Sequence, residues 1–197
     1  EFIEGEIMKI NDFAKYDYNF ELNDDCLSEG RKLQLADKNI YDQVTYAEYP
    51  FNIFLSQLLN YKLLDRKKGQ EYYKSVEFAD LYDPKKRSLI HVKIGDTTSL
   101  RYCIQQSLHS AEIFNSQTDV LQIHDINDVE RISMLFVLTS HSVIVEDEQI
   151  DFSKNSSLYF KIEIVDWANR VRSLGYTPEI IVSKDMRLTI EKTKKQA

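Results

Sequence analysis

The 197-residue sequence has few of the residues that interrupt folded structure, with five glycines and three prolines. This scarcity excludes collagen-like repeats and low-complexity tracts and leaves little room for long linkers. No apolar run approaches the roughly 20 residues that cross a bilayer, and the N-terminus lacks the pattern of a secretory signal peptide. We therefore expect a cytoplasmic protein that has no membrane partner.

Cysteine is also scarce. Cys26 and Cys103 belong to no CxxC pair and to no Cys/His metal motif, so we expect reduced thiols, one of them buried on a helix. The sequence contains no P-loop, no GxGxxG, no HExxH and no Ser/His/Asp order. These absences argue against kinases, NTPases, dinucleotide enzymes and zinc proteases.

The composition is that of a folded, acidic chain. Hydrophobic residues make up 43% and charged residues 29%, and the net charge is −7, which together indicate a globular protein of about one domain. Such a charge argues against non-specific coating of nucleic acid, but it permits a local basic groove. Lysine and arginine cluster at 62–68, 85–87 and 192–195, where each cluster is either a solvated surface or a phosphate site.

Hydrophobic periodicity becomes clear from residue 49 onward, whereas residues 1–48 show only weak patterns. We interpret 1–48 as an N-terminal segment packed on the core and 49–197 as the main domain. The predicted order is a helix from Pro50, alternating strands over 72–83 and 87–94, a helix over 99–114, a buried strand over 132–138, a helix over 158–176 that is capped by Gly175, and a strand over 177–185. Alternating elements of this kind predict an α/β (α+β) fold with a helix-covered sheet.

The two alternating strands form a hairpin that brings unusual residues to one end. The stretch EFADLYDPKKRSLIHVKIGD contains Asp80 before the turn and His91 and Lys93 after it. Strand alternation points Glu77 to the face opposite Asp80, so both can reach one site only across a bulge. The hairpin either builds a metal-dependent nuclease site or has an ordinary polar face.

The element order and the hairpin resemble the common core of the PD-(D/E)xK nucleases, which consists of a helix, a β-meander with the site, a helix and a strand. In that superfamily an aspartate precedes an acid-x-lysine motif by ten to twenty residues. Here Asp80 precedes His91 and Lys93 at a fitting spacing, but His91 stands where an acid is expected. The resemblance implies a restriction-endonuclease-like mixed β-sheet flanked by helices, and thus a nuclease-like α/β domain over 49–197.

A second resemblance covers residues 51 to 183. The stretches FNIFLSQLLNYKLLDRK, VEFADLYDPKKRSLIHVK, SLRYCIQQSLHSAEIF, RISMLFVLTS and FKIEIVDWANRVRSLGY are similar to successive motifs of a sporadically distributed family of uncharacterised bacterial proteins. Members of that family are longer, so the chain corresponds to their C-terminal part. The resemblance implies a phage-defence or mobile-element context. Because the chain begins Glu1-Phe2, we expect a processed chain or a domain cut from a longer polypeptide.

The nuclease resemblance assigns chemistry to three residues. Phosphodiester cleavage needs an activated water and neutralised phosphate charge, which Mg²⁺ or Mn²⁺ held by carboxylates supplies. Asp80 would hold the metal, and Lys93 would orient the water or stabilise negative charge. His91 would be either a metal ligand, which favours Mn²⁺ or Zn²⁺ over Mg²⁺, or a general base near neutral pH.

Further residues are candidates for the same site. Glu77 is a third candidate metal ligand, and Glu48 or Glu71 would supply an acid from a neighbouring segment. Gln105 or Gln106 would face the site from the following helix and contact phosphate or a base. Each of these residues also has an ordinary interpretation as a solvated surface side chain.

Three functions therefore remain open at this point. The first is metal-dependent hydrolysis of nucleic acid, with DNA ahead of RNA. The second is a catalytically inactive module of the same fold that binds nucleic acid or a partner protein, as the substitution by His91 and the acidic net charge favour. The third is a domain that contacts only protein, such as a second copy in a homodimer or the remainder of a longer polypeptide.

Overall fold

The computed structural model of the chain describes residues 1–36, 46–67, 69, 73 and 75–187. Within these residues, helices flank a six-stranded mixed sheet, which confirms the predicted mixed α/β class. The helices are α1 (Phe2–Asn11), α2 (Asp24–Ala36), α3 (Glu48–Leu59), α4 (Thr97–Ser116) and α5 (Leu158–Ser173). The strands are β1 (Ala14–Tyr16), β2 (Lys62–Leu63), β3 (Leu81–Asp83), β4 (Ser88–Gly95), β5 (Arg131–Leu138) and β6 (Thr177–Lys184).

The strand order in the sheet is β1-β6-β5-β4-β3-β2. β2, β3 and β4 form an antiparallel meander, whereas β4, β5, β6 and β1 run parallel. In the β3–β4 hairpin Leu81 pairs with Ile90, so the preceding residue, Asp80, lies level with His91. The hairpin therefore has the register that brings these two residues to the same end.

The sheet divides the core into two layers because its central strand is apolar on both faces. On β5, Met134 and Phe136 pack in one cluster with residues of α1, α4 and α5. Leu135 and Val137 pack in the other cluster with residues of α2 and α3. This arrangement confirms the prediction of a strand buried on both faces.

The helix ends follow the sequence signals in part. Gly175 has φ of 89°, in the left-handed region, as predicted for the end of α5. The N-cap of α4 is Asp96, whose carboxylate accepts a hydrogen bond from Ser99 N at 3.1 Å. The helix therefore begins two residues before the predicted start at residue 99, because the Asp96 carboxylate satisfies a main-chain N–H group of its first turn.

Two predicted boundaries change in the structure. The strand expected over 72–83 is limited to Leu81–Asp83 in the part of the chain that is described. Just before it, the main-chain oxygen of Asp80 accepts hydrogen bonds from both Leu64 N and Asp65 N. The N-terminal segment supplies β1, which pairs in parallel with β6. The domain boundary between residues 48 and 49 stays a prediction, and the basic residues 192–195 lie outside the described residues.

Over the residues that the structure covers, no helix combines the length and apolar character needed to span a bilayer.

Candidate active site

The candidate site lies at the edge of β4, beyond the point where β3 stops pairing with it. Two main-chain N–H groups of β4 are bonded there by carboxylates instead of by a strand. Val92 N donates to Asp80 Oδ2 at 2.6 Å, and Ile94 N donates to Glu48 Oε1 at 3.0 Å. Because hydrogen bonds of such lengths are directional, they hold Asp80 and Glu48 against the strand.

Two more carboxyl groups, those of Asp65 and Glu77, contribute negative charge at this edge of β4. We call Glu48, Asp65, Glu77 and Asp80 the acidic cluster. Asp65 follows β2 and its side chain is buried, with the residue 5% exposed. Its main-chain N–H donates to the main-chain oxygen of Asp80 at 2.8 Å. Glu77 is exposed, and its charge acts on both Asp65 and Asp80. The cluster therefore joins α3, the end of β2 and the segment before β3.

Burial and mutual repulsion raise the pKa values of the two inner acids. Burial raises the pKa of Asp65 to about 6, although a hydrogen bond from Asn52 Nδ2 at 2.8 Å opposes this. Burial also raises the pKa of Asp80 well above its usual range, and the charge of Asp65 is the next largest contribution. The ionised form of each carboxyl group is therefore unfavourable in the fold unless a proton or a cation compensates its charge.

Two cationic side chains face the acidic cluster. Lys93 Nζ lies 3.0 Å from Glu48 Oε1, and the two side chains keep 29% and 20% of their surface exposed. Arg66 lowers the pKa of Asp65 by its charge. Because Lys93 and Glu48 are both in contact with solvent, a water molecule or a phosphate group can reach them.

His91 is almost completely buried, with 4% of the residue exposed. Its Nε2 atom has no hydrogen-bond partner among the residues that the structure describes, and burial lowers its pKa to about 4. Such an imidazole is neutral at physiological pH and a poor base there, which argues against the predicted role of general base. A neutral ring nitrogen with an available lone pair suits a metal ligand instead.

The glutamines of α4 do not join the cluster. Gln105 and Gln106 are exposed, because the buried face of α4 contains Cys103 and Ile104. Cys103 Sγ donates to the main-chain oxygen of His91 at 3.6 Å, and burial followed by the charge of Asp80 raises its pKa. Cys103 thus links α4 to β4 at His91, whereas a contact of Gln105 or Gln106 with phosphate or a base stays a prediction.

The donor atoms allow a test of whether a metal ion fits. Among the described residues, no group of three or more His, Cys, Asp or Glu side chains is arranged to hold one. A hard ion such as Mg²⁺ or Mn²⁺ needs fewer, because it keeps several waters and binds one or two carboxylates together with substrate phosphate. The carboxyl group of Asp80, whose ionised form is disfavoured by burial and like charges, fits an ion bound in this way. The unpartnered Nε2 of His91 would add a nitrogen ligand, which favours Mn²⁺ over Mg²⁺.

Asp65 and Asn52 were absent from the sequence-based candidates. Asn52 follows Glu48 by four positions on α3, so the two residues share one face of the helix. Asp65 is brought in by the antiparallel pairing of β2 with β3. The four-residue spacing on α3 was a detectable signal, whereas Glu71, the other predicted acid, lies outside the described residues.

Comparison with known proteins identifies a family for this chain. A model described as a family of unknown function (DUF6119) matches residues 9–182. No curated protein and no solved structure matches the chain significantly. The matched range contains the complete acidic cluster together with His91 and Lys93.

Proposed function

The chain belongs to this family of unknown function, and we propose from its site that it hydrolyses phosphodiester bonds of nucleic acid, DNA ahead of RNA, in a metal-dependent reaction. The observation that supports this best is the convergence of Glu48, Asp80 and Lys93 at the open edge of β4. Phosphoryl chemistry requires acidic and cationic groups in such proximity.

The order of elements around the site gives separate support. α3 precedes the antiparallel meander β2-β3-β4, α4 follows it, and β5 then pairs in parallel with β4. This order resembles that of the PD-(D/E)xK core, which is a helix, a β-meander with the site, a helix and a strand. In that correspondence Asp80 would be the metal-binding aspartate and Lys93 the lysine of the motif.

Each residue of the site would have its own role in the reaction. Asp80 and the neutral His91 would hold Mn²⁺ or Mg²⁺, with Glu77 adding a carboxylate at the exposed rim. When bound, the ion would neutralise phosphate charge and lower the pKa of a water molecule. Lys93 would orient that water and stabilise the charge that develops on the phosphate. Glu48 would keep the Lys93 ammonium group in position through their ion pair.

A cleavage assay tests the proposal. Labelled single- and double-stranded DNA and RNA are incubated with the protein in Mn²⁺, Mg²⁺ or EDTA. We expect cleavage with metal, inhibition by EDTA, and loss of cleavage in Asp80→Asn. The matched control is Glu179→Gln, which removes a half-buried carboxylate of β6 outside the acidic cluster. Intact substrates with both metals, or full activity of Asp80→Asn, would overturn the proposal.

The burial of His91 supports a second candidate, a catalytically inactive module that binds nucleic acid. This residue takes the place of the second acid of the nuclease motif and is 4% exposed, so a substrate does not reach it directly. Such a module would bind DNA without a metal requirement, with an affinity that falls as salt rises. DNA binding that EDTA leaves unchanged, without cleavage, would favour this candidate over the nuclease.

A further inference from the structure

Asn52 has an unusual environment for a buried side chain. The residue is fully buried, and its Oδ1 atom has no hydrogen-bond partner among the described residues. Its Nδ2 atom donates to Asp65 Oδ2 at 2.8 Å, so this side chain is in direct contact with the acidic cluster. Because leaving a buried carbonyl oxygen without a partner is unfavourable, the Oδ1 atom is suited to binding a ligand.

We propose that Asn52 and Asp65 join Asp80 and His91 as ligands of a divalent cation in the acidic cluster. This inference rests on the proposed function, because it names further ligands of the ion that Asp80 and His91 would hold. The donors that it adds are carboxylate and amide oxygens, which Mg²⁺ and Mn²⁺ prefer, whereas Zn²⁺ favours nitrogen and sulfur.

The charges around Asn52 favour a divalent cation. The acidic cluster contains four carboxyl groups, and the two cationic groups that act on it are those of Lys93 and Arg66. Lys93 is paired with Glu48 at its exposed side, and the charge of Arg66 acts on Asp65. The charges that act on the carboxyl group of Asp80 are those of other acids, with Asp65 the largest.

The inner acids also have oxygens available for a ligand. Val92 N bonds Oδ2 of Asp80 and Asn52 Nδ2 bonds Oδ2 of Asp65. Within the described residues, the Oδ1 atoms of both carboxyl groups receive no hydrogen bond. Asp65 is held next to Asp80 through the main-chain bond of 2.8 Å between them. The amide of Asn52 and the carboxylate of Asp65 are in direct contact, and the charge of Asp65 acts on the carboxyl group of Asp80.

Binding of Mn²⁺ measured by isothermal titration tests this assignment. We expect wild type to bind and the affinity to fall at least about 10-fold in Asp65→Asn and in Asn52→Ala, the range seen when groups around a metal are removed. Asp83→Asn is the matched control, because Asp83 is a buried acid of the same hairpin that bonds Lys85 N and Lys86 N. The Mn²⁺ affinity of Asp83→Asn should equal that of wild type.

Thermal unfolding with and without Mn²⁺ keeps the test valid for destabilised variants. Each variant is compared with its own metal-free Tm, so the expected result is a Tm increase for wild type and Asp83→Asn and a smaller one for Asp65→Asn. Asn52→Asp adds a carboxylate and should tighten Mn²⁺ binding. If Oδ1 of Asn52 merely holds a buried water, Asn52→Ala and Asp65→Asn will keep wild-type affinity and Tm increase, which overturns the inference.

The outcomes separate this inference from the proposed function. Mn²⁺ binding that depends on Asp65 and Asn52, without cleavage of any nucleic acid, would uphold the ligand set and overturn the nuclease. Cleavage that depends on Asp80 but is unchanged in Asp65→Asn and Asn52→Ala would uphold the nuclease and overturn the ligand set.

Discussion

Two clusters of polar side chains lie on the same sheet, and their surroundings shift the pKa values of their carboxyl groups in opposite directions. The first is the acidic cluster at the edge of β4. The second, which we call the serine network, crosses β4, β5 and β6 through Ser88, Ser133, Glu179 and Lys86. Ser88 Oγ and Ser133 Oγ are 2.5 Å apart, Ser133 Oγ donates to Glu179 Oε2 at 2.6 Å, and Lys86 Nζ lies 3.0 Å from Glu179 Oε1.

The electrostatic difference between the two groups follows from these partners. Burial opposes ionisation of Glu179, yet hydrogen bonds from Ser133 and Lys86 lower its pKa. In the acidic cluster, burial and like charges raise the pKa values of Asp65 and Asp80. A buried polar group with complete partners stabilises the fold, whereas one with missing partners is suited to binding a ligand. This contrast is the physical reason for placing function at the acidic cluster.

The largest expected effect is the difference in cleavage rate between variants of Lys93, in the acidic cluster, and Lys86, in the serine network. Lys93→Gln should reduce metal-dependent cleavage by about 100-fold or more, because a charge that stabilises the transition state is lost. Lys86→Gln, in the serine network, should leave the cleavage rate within about 2-fold of wild type, since Lys86 is half exposed and pairs with Glu179. Single-turnover rates at saturating Mn²⁺ measure both. Equal losses of cleavage rate in Lys93→Gln and Lys86→Gln would contradict the distinction between the acidic cluster and the serine network.

His91 should make the fold sensitive to acid. Its pKa in the folded protein is about 4, against the usual 6.5, so between these values the unfolded chain binds a proton that the folded protein does not. Stability should therefore fall as the pH drops from 6.5 to 4, by about 3 kcal/mol. His91→Phe should remove this loss. Urea unfolding in EDTA across the pH range measures it, and an unchanged profile in His91→Phe would contradict the assignment.

Asp65 should act in the opposite direction over nearly the same pH range. Its pKa is raised from 3.8 to about 6 in the fold, so between these values the folded protein holds a proton that the unfolded chain releases. Stability should fall by on the order of 3 kcal/mol as the pH rises through this range, and Asp65→Asn should remove that slope. The same urea series tests it, with Glu179→Gln as control, since a lowered pKa gives a slope of the reverse sign.

A smaller effect is expected for the serines of neighbouring strands. Ser133→Ala should lower the free energy of unfolding by about 2 kcal/mol, because Ser88 and Glu179 lose a buried partner. Ser183 is also fully buried, but its Oγ has no hydrogen-bond partner among the described residues. Ser183→Ala should therefore be neutral or stabilising. Chemical denaturation at neutral pH compares the two, and equal losses would show that hydrogen-bond satisfaction is not the difference between them.

Much of the fold was predictable because its signals are local. The apolar run of β5, the turn at Asp83 and Pro84, and the glycine at 175 all predicted elements that the structure contains. These signals depend on periodicity and on backbone preferences of single residues. The same local information placed Asp80, His91 and Lys93 on one hairpin.

The remainder of the site depends on tertiary contacts that periodicity does not encode. Asp65 meets Asp80 only because β2 pairs with β3, and Glu48 meets Lys93 only because α3 begins beside the end of β4. The burial of His91 likewise depends on the packing of α4 against β4. Gln105 lies two positions from the buried Cys103, about 200° around the helix, and is exposed, so its contact with phosphate or a base stays a prediction.

The smallest expected effect concerns the exposed face of α4. Because Gln105 is exposed there, Gln105→Ala should change the free energy of unfolding by less than about 0.5 kcal/mol and leave Mn²⁺ affinity and cleavage unchanged. Cys103 is 1% exposed, so Cys103→Ala leaves a small cavity and should cost about 1 kcal/mol. Denaturation, titration and cleavage assays compare the two variants. A folded Gln105→Ala protein with reduced cleavage and normal Mn²⁺ affinity would mean that the outer face of α4 contacts the nucleic acid, and that the functional surface extends beyond the acidic cluster.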